Sequence, residues 1–477
     1  MMLYQQIARK ISESIHEGIY LPGHRLPGVR QLSQQFGVSV STVVQAQRQL
    51  ENSGLIEAKA RSGYYVMPQS WSVPERPEVT QTDLKPTAVT GQELVLQQAY
   101  LTNRPDFIQL GAAVPDPSFM PLRAFQRSLT KTVRQYNEQA ASYSFPPGLP
   151  AFRQQISRRM HLAGSKVKAN EILITNGCQE ALSISLQAVA KAGDIIAIES
   201  PTFYGLLQVI ESLGMQALEI PTDPQTGISL TALELALEQW NLKACVLMPN
   251  YSNPLGCIMP DSRKQQLLAL AAQHELILIE DDINGDLGFD AERPRTLHSF
   301  SQNSAAQVIY CSSFSKTISQ GLRTGWMIPP ANLFQRAEYL KYVSNLATPT
   351  LSQLALTDFL AQGGYERHLR QIKSRYAQQI NLFTHAISKH LPASTKVTQP
   401  KGGFVLWLEF EKHIDTLQLS QRMLEHKISI APGQIFSAAQ KYRHCLRLNC
   451  AHPWTPELEQ ALILLGQELN VGSGDSS

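Results

Sequence analysis

The chain has 477 residues, 43% of them apolar and 17% charged, with 42 Lys and Arg against 39 Asp and Glu. That length exceeds one ordinary core, so two or three domains are expected, and the composition excludes collagen-like and disordered classes. No apolar run approaches a membrane span, the start MMLYQQIARKISESIHEG lacks an apolar signal core, and six scattered cysteines (Cys178, Cys245, Cys257, Cys311, Cys445, Cys450) form no C-x-x-C pair, which predicts reduced thiols, no metal site and a cytoplasmic location.

The positive charge is uneven. Residues 1–67 carry seven bases (Arg9, Lys10, Arg25, Arg30, Arg48, Lys59, Arg61) against four acids (Glu13, Glu17, Glu51, Glu57), and the remainder is balanced. A polyanion is the partner that suits such a segment. Leu3, Ile7, Ile11 and Ile15 recur every four residues and predict a first helix. After Pro22-Gly23, LPGVRQLSQQF offers Val29, Leu32 and Phe36 to a second. Gly37-Val38-Ser39 reads as a tight turn whose serine caps a third helix, with Val43, Ala46 or Gln47, and Leu50 inward. LIEA and SGYYV follow as short strands around the basic turn KARSG.

Helix, helix, turn, helix and a two-strand wing describe a winged helix-turn-helix over residues 1–68. With LPGVRQLSQQFGVSVSTV at its centre, this order resembles the GntR family of bacterial regulators. The resemblance implies that the third helix enters a major groove with Ser39, Ser41, Thr42 and Gln45 near bases or phosphates. Arg30, Lys59 and Arg61 then hold the DNA backbone, and Gly63 lets the wing approach closely. Val40 and Val44 stand where many members of that family carry arginines, so guanine readout is not expected from either; a dimer reading two half-sites compensates.

Residues 69–104 read as a linker, rich in Pro, Thr, Ser and Gln and leading to a helix around ELVLQQAYL. From 105 to 470, short β-branched runs (EILIT, DIIAIE, ACVLMP, LILIE, QVIYCS) alternate with helical stretches. They predict parallel strands covered by helices in a large α/β domain. From about 346 to 470, long helical patterns and the strands KVTQPKGGFVLWLEF and HCLRLNCA suggest a smaller α+β lobe, and 471–477 read as a disordered tail.

Within SSFSKTISQGLRTGW stands one lysine, Lys316, among hydroxyls, with Arg323 close behind. The lysine makes sense as the amine that forms a Schiff base with an aldehyde cofactor, because pyridoxal 5′-phosphate has further needs that this chain supplies. Ser313, Ser315 and Arg323 suit a phosphate. TNGCQEA is a strand-to-helix transition that turns the N–H groups of Gly177, Cys178 and Gln179 toward an anion. Asp281 in LILIEDDINGD can keep a pyridine nitrogen protonated, Asn253 in NYSNPLG can donate to the phenolic oxygen, and Phe203 in ESPTFYG can stack on the ring.

The order NGCQEA, SPTFYG, NYSNPLG, IEDD, SSFSK, R-x-G-W resembles fold-type I pyridoxal-phosphate enzymes of the aspartate aminotransferase kind. That resemblance implies two further roles: Tyr143 reaching the phosphate across a dimer interface, and Arg447 binding a substrate α-carboxylate. It also exposes a departure. Family members place a tyrosine two or three residues after the pyridine-binding Asp, where this chain has Ile283 and Asn284, leaving Asn284 as a weaker donor to the phenolic oxygen.

The full architecture is therefore an N-terminal winged helix-turn-helix joined to an α/β PLP-dependent transferase fold of type I, and it resembles the MocR subgroup of GntR regulators. The implied function is a transcriptional regulator, a head-to-tail homodimer on double-stranded promoter DNA. In that reading it senses an amine, an amino acid or the B6 vitamer itself through aldimine exchange at Lys316. The alternative is an active aminotransferase.

Overall fold

The computed structural model describes residues 2–16, 19–21, 23–59, 62–67, 74–80, 83–91, 93–102, 104–290 and 292–471. Arg61 and the tail 472–477 lie outside them.

The N-terminal domain holds three helices, α1 (Leu3–His16), α2 (Val29–Phe36) and α3 (Val40–Asn52), and an antiparallel wing, β1 (Ile56–Lys59) with β2 (Gly63–Val66). Ile7, Ile11 and Ile15 of α1 meet Leu32, Val43, Ala46, Leu50, Ile56 and Val66 in one buried cluster. The turn between α2 and α3 is fixed at both ends. Gly37 takes φ 63°, the left-handed conformation that ends α2, and Ser39 Oγ accepts the Thr42 N–H at 3.2 Å to start α3.

The large domain is built on one sheet with the strand order Thr87–Ala88, Gln216–Asp223, Ile195–Ser200, Leu242–Leu247, Ile277–Asp281, Val308–Ser313, Gly325–Ile328, Leu173–Thr175. The five from Gln216–Asp223 to Val308–Ser313 run parallel and are buried on both faces by apolar clusters, the reason their sequences do not alternate. The EILIT strand runs in the same direction as these five but reaches them through an antiparallel neighbour. Leu173–Thr175 pairs antiparallel with Gly325–Ile328, itself antiparallel to Val308–Ser313.

The small lobe carries a four-stranded antiparallel sheet in the order Lys396–Val397, Val405–Glu409, Cys445–Asn449, Ala431–Pro432. The stretch KVTQPKGGFVLWLEF thus divides into two strands joined by a loop. Ile108–Gln109, far upstream, pairs with Ile428–Ser429 and extends this lobe from the front of the chain.

The linker is fastened rather than free. Thr87–Ala88 is an edge strand of the large sheet, followed by the helix Glu93–Thr102. Glu75 accepts the Val397 N–H at 2.7 Å, Arg76 donates to Gln399, and Thr80 Oγ1 donates to the Ser200 carbonyl at 2.8 Å. The N-terminal domain also rests on the small lobe of its own chain. Ser374 Oγ, on the long helix Gly364–His390, donates to Asn52 Oδ1 at the end of α3 (3.2 Å), and Asn381 lies under Gly54.

Leu32 is fully buried in the N-terminal cluster. Leu32→Ala is expected to cost about 2–5 kcal/mol of that domain's stability, seen as a loss of amide exchange protection confined to residues 3–66.

Candidate functional site

A cavity of about 250 Å3 opens at the C-terminal ends of the parallel strands, where open α/β sheets bind ligands. The strand Val308–Ser313 delivers Lys316 to it. Lys316 Nζ donates to the Ala113 carbonyl at 2.7 Å. The neighbouring strand ends in Asp281, whose Oδ1 accepts from the Cys178 thiol at 3.2 Å and the Ile283 N–H at 3.1 Å. These two donors fix the carboxylate while Oδ2 keeps no protein donor among the described residues.

The helix Cys178–Val189 begins at the cavity, preceded by Gly177 at φ 85°. Glycine is required there twice: by its left-handed φ, and because a Cβ would stand 2.6 Å from Arg323 Nη2. The Arg323 guanidinium is aimed by the Asn176 carbonyl at 2.9 Å. Phe203 lines another wall, its ring occupying the space that a side chain at position 205 would need. Gln179, Asn253, Ser315, Ile283 and Asn284 complete the polar and apolar lining, and Phe404 and Val405 close it from the small lobe.

Besides Gly177, which lies just before the helix start, three expected members stand off the cavity wall. Ser313 lies beneath it, its Oγ accepting the Ser315 N–H. Arg447 is fully buried behind Asn253, donating to Asn253 Oδ1 at 3.1 Å and to the Gly111 carbonyl, with its guanidinium 4.9 Å from the Phe436 ring. Tyr143 points to solvent, 69% exposed and stacked on Phe145. Asn284 lines the wall, with one of its two amide N–H groups turned to the Tyr251 carbonyl at 2.9 Å.

Burial dominates the electrostatics. It pulls the Lys316 ammonium down to about 8, reinforced by Arg447 and opposed by Asp281. It pushes Asp281 up to about 6, against the pull of the Cys178 thiol and the Ile283 N–H. At neutral pH the pair therefore offers an anionic carboxylate beside an amine that deprotonates readily. A second group of donors, Glu409, His444 and Cys445, lies on the small-lobe sheet within 4.8 Å of one another. Lys396, 3.6 Å from Glu409, already balances that carboxylate.

In the N-terminal domain, Arg30, Ser39, Ser41, Gln45, Lys59 and Gly63 are exposed and Thr42 is half-buried. Ser39 Oγ is held within the α3 cap, 2.8 Å from both Ser41 Oγ and Thr42 Oγ1. Lys59 pairs with Glu57 at 3.1 Å and lies over Tyr65.

Several residues escaped the sequence reading. Arg48 is exposed on the face of α3 that carries Ser41 and Gln45, and the 41, 45, 48 spacing was the available signal. Arg25 packs over Gly63 of the wing through a bridge to Tyr65. Ala113, Phe404 and Val405 carried no local signal, because the folding of distant segments brings them to the cavity.

Comparison with known proteins gives two family matches: bacterial regulatory proteins of the gntR family over residues 3–66, and aminotransferase class I and II over residues 106–463. The chain is 41% identical over 468 residues to the uncharacterized HTH-type transcriptional regulator YjiR of Escherichia coli K12, covering 98% of each. It is 38% identical to the regulator YdcR of the same organism, covering 98% of this chain and 99% of the relative. Among solved structures, the α-aminoadipate aminotransferase LysN of Thermus thermophilus superposes with a TM-score of 0.74 at 26% identity, covering 80% of this chain and 98% of that one.

Competitive amine labelling followed by mass spectrometry is expected to show Lys316 reacting with a midpoint near pH 8, about two units below an ordinary lysine. Asp281→Asn removes a charge that favours the ammonium, so the midpoint moves lower still.

Proposed function

We propose that this chain, which belongs to the GntR-family regulators of the MocR type, is a DNA-binding transcriptional regulator whose aminotransferase-like domain holds pyridoxal 5′-phosphate and senses an amine, an amino acid or the vitamer at Lys316. The observation that carries this reading is the convergence of Lys316 and Asp281 on one cavity, below a helix start where a missing Cβ makes room for Arg323.

The donor set fits the cofactor. Arg323, Ser315 and the first N–H groups of the helix Cys178–Val189 suit a phosphate dianion. Asp281, with one oxygen held by Cys178 and Ile283 and the other toward the cavity, suits a protonated pyridine nitrogen. Phe203 offers a flat face and Asn253 an amide donor. When bound, the cofactor supplies an aldehyde carbon and an electron-withdrawing ring. Lys316 supplies the nucleophile at Nζ, and its lowered proton affinity keeps a fraction of the free amine near neutral pH. Arg447 is the cation for a carboxylate on the sensed molecule, reached through the Asn253 side chain that now engages it.

A second copy of the chain completes the arrangement. Tyr143, Phe145, Tyr339 and Tyr342 form an exposed aromatic patch of the kind that partners cover, and its burial in a homodimer brings Tyr143 toward the partner's phosphate site. No helix among the described residues is long and apolar enough to cross a membrane; the cytoplasm is the proposed location. Regulation requires the sensed amine to bind the two lobe arrangements unequally.

Protein supplied with pyridoxal 5′-phosphate and reduced with borohydride is expected to carry a phosphopyridoxyl mass adduct at Lys316, and Lys316→Ala to carry none. The same variant should bind promoter DNA but lose the response of that binding to added amines. Steady turnover of amino donors with 2-oxo acids, without sequence-selective DNA binding, would reverse the reading.

Ile283 lines the cavity without a hydrogen-bonding group. Ile283→Tyr would add a phenol donor to the cavity wall that could bond the cofactor's phenolic oxygen and stabilise its anion, so the pH midpoint of the visible absorption change is expected to fall. An unchanged spectrophotometric titration tells against this placement.

A further inference from the structure

The helix Leu122–Gln135, LRAFQRSLTKTVRQ, carries Arg123, Arg127, Lys131 and Arg134 and no acid. Spacings of four, four and three residues place all four on one helix face, and all four are exposed. The opposite face, with Phe125, Ser128 and Thr132, is buried. Lys131 pairs with Asp358 at 2.6 Å; Arg123, Arg127 and Arg134 have no acidic partner among the described residues. Polar donors flank them, Gln126, Thr130 and Gln135 sharing a shallow concavity with Arg127, Lys131 and Arg134.

The cationic face continues onto the small lobe. Arg123 lines a groove with Arg367 and Arg375 of the helix Gly364–His390. Arg375 holds the Ser118 carbonyl at 3.2 Å, and Arg367 and Arg370 are exposed without an ion pair among the described residues. Of the nearby acids, Asp358 is held by Lys131 and Glu366 by Arg159, Asp116 lies 3.8 Å from His452, and Glu138 and Asp290 have no ion pair among the described residues. The residue before Arg375 is Ser374, which holds Asn52 at the end of α3. A band in which arginines without ion pairs predominate therefore starts beside the N-terminal domain and runs along two helices.

We propose that this band is a second DNA-binding surface, which grips the phosphates of duplex continuing past the site read by the N-terminal domain. The inference rests on the DNA-binding role proposed above for that domain. Guanidinium groups suit phosphate oxygens bidentately, and their lack of counter-charges leaves the field available to a polyanion. From Arg123 to Arg134 the helix spans about 16 Å, roughly half a turn of B-form duplex.

The test uses the full-length protein and random-sequence duplexes of about two and about six helical turns, titrated over a range of salt. The triple variant Arg123→Gln, Arg127→Gln, Arg134→Gln is expected to bind the short duplex normally. On the long one it should lose about 2–3 from the log–log salt slope and at least about tenfold in affinity. Arg30→Ala with Lys59→Ala, in the reading domain, should weaken both. An unchanged slope on the long duplex in the triple variant, with the reading-domain variant still impaired, overturns the second surface alone. No effect of the reading-domain variant on either duplex overturns that domain's role instead. A triple-variant defect on phosphatidylcholine vesicles containing phosphatidylserine, with DNA binding untouched, also overturns the proposal. Retained phosphopyridoxyl labelling of Lys316 checks that the triple variant is folded.

Discussion

Two carboxylates that follow one another, Asp281 and Asp282, face opposite ways, and the second secures the first. Asp281 turns into the cavity. Asp282 turns into a buried network, where it accepts from Arg293, from the Tyr310 hydroxyl at 2.8 Å and from the Asn250 amide at 2.9 Å. Arg293 also bonds Asp286 at 2.7 Å, and Asp286 is held by Arg159 at 2.8 Å and the Tyr365 hydroxyl at 2.7 Å. The two arginines keep the Asp286 carboxyl well below the usual range despite burial. A buried charge that loses its partner is left at a cost of about 3–5 kcal/mol, so the turn 282–286 is anchored far more firmly than a surface loop. On that turn depend the strand end carrying Asp281 and the wall formed by Ile283 and Asn284.

The legible parts of the chain were those whose causes are local. The α2–α3 turn was readable because a glycine with left-handed φ and a serine cap act within three residues of each other. The strands were readable because burial on both faces leaves continuous apolar runs. The cavity members Lys316, Asp281, Phe203, Asn253 and Arg323 were readable because each sits close to one end of a strand, in a motif whose order along the chain was informative.

What remained hidden comes from long-range pairing. Ile108–Gln109 joins a strand more than three hundred residues away, and nothing in its two residues announces that partner. The position of Arg447 behind Asn253 depends on the packing of the small lobe against the large domain. The network behind Asp282 was equally invisible, since Arg159 and Arg293 look like any surface arginines until the fold closes over them. At Asn284 the residue type was right for donating a hydrogen bond, but the nearest acceptor in space is the Tyr251 carbonyl.

The fastening of the linker bears on spacing along DNA. A free coil of 36 residues would have a root-mean-square reach of about 30–36 Å, enough to let two N-terminal domains accommodate half-sites in many relative positions. Here Glu75 and Arg76 are clipped to one lobe, and Thr80 and Thr87–Ala88 to the other. The slack is divided into short lengths, and the end of α3 is propped on Ser374. In the homodimer proposed above, inserting or deleting a few base pairs between half-sites would have to be absorbed by twisting or bending the duplex, and the phasing of the operator would be dictated by the protein body rather than by chain entropy.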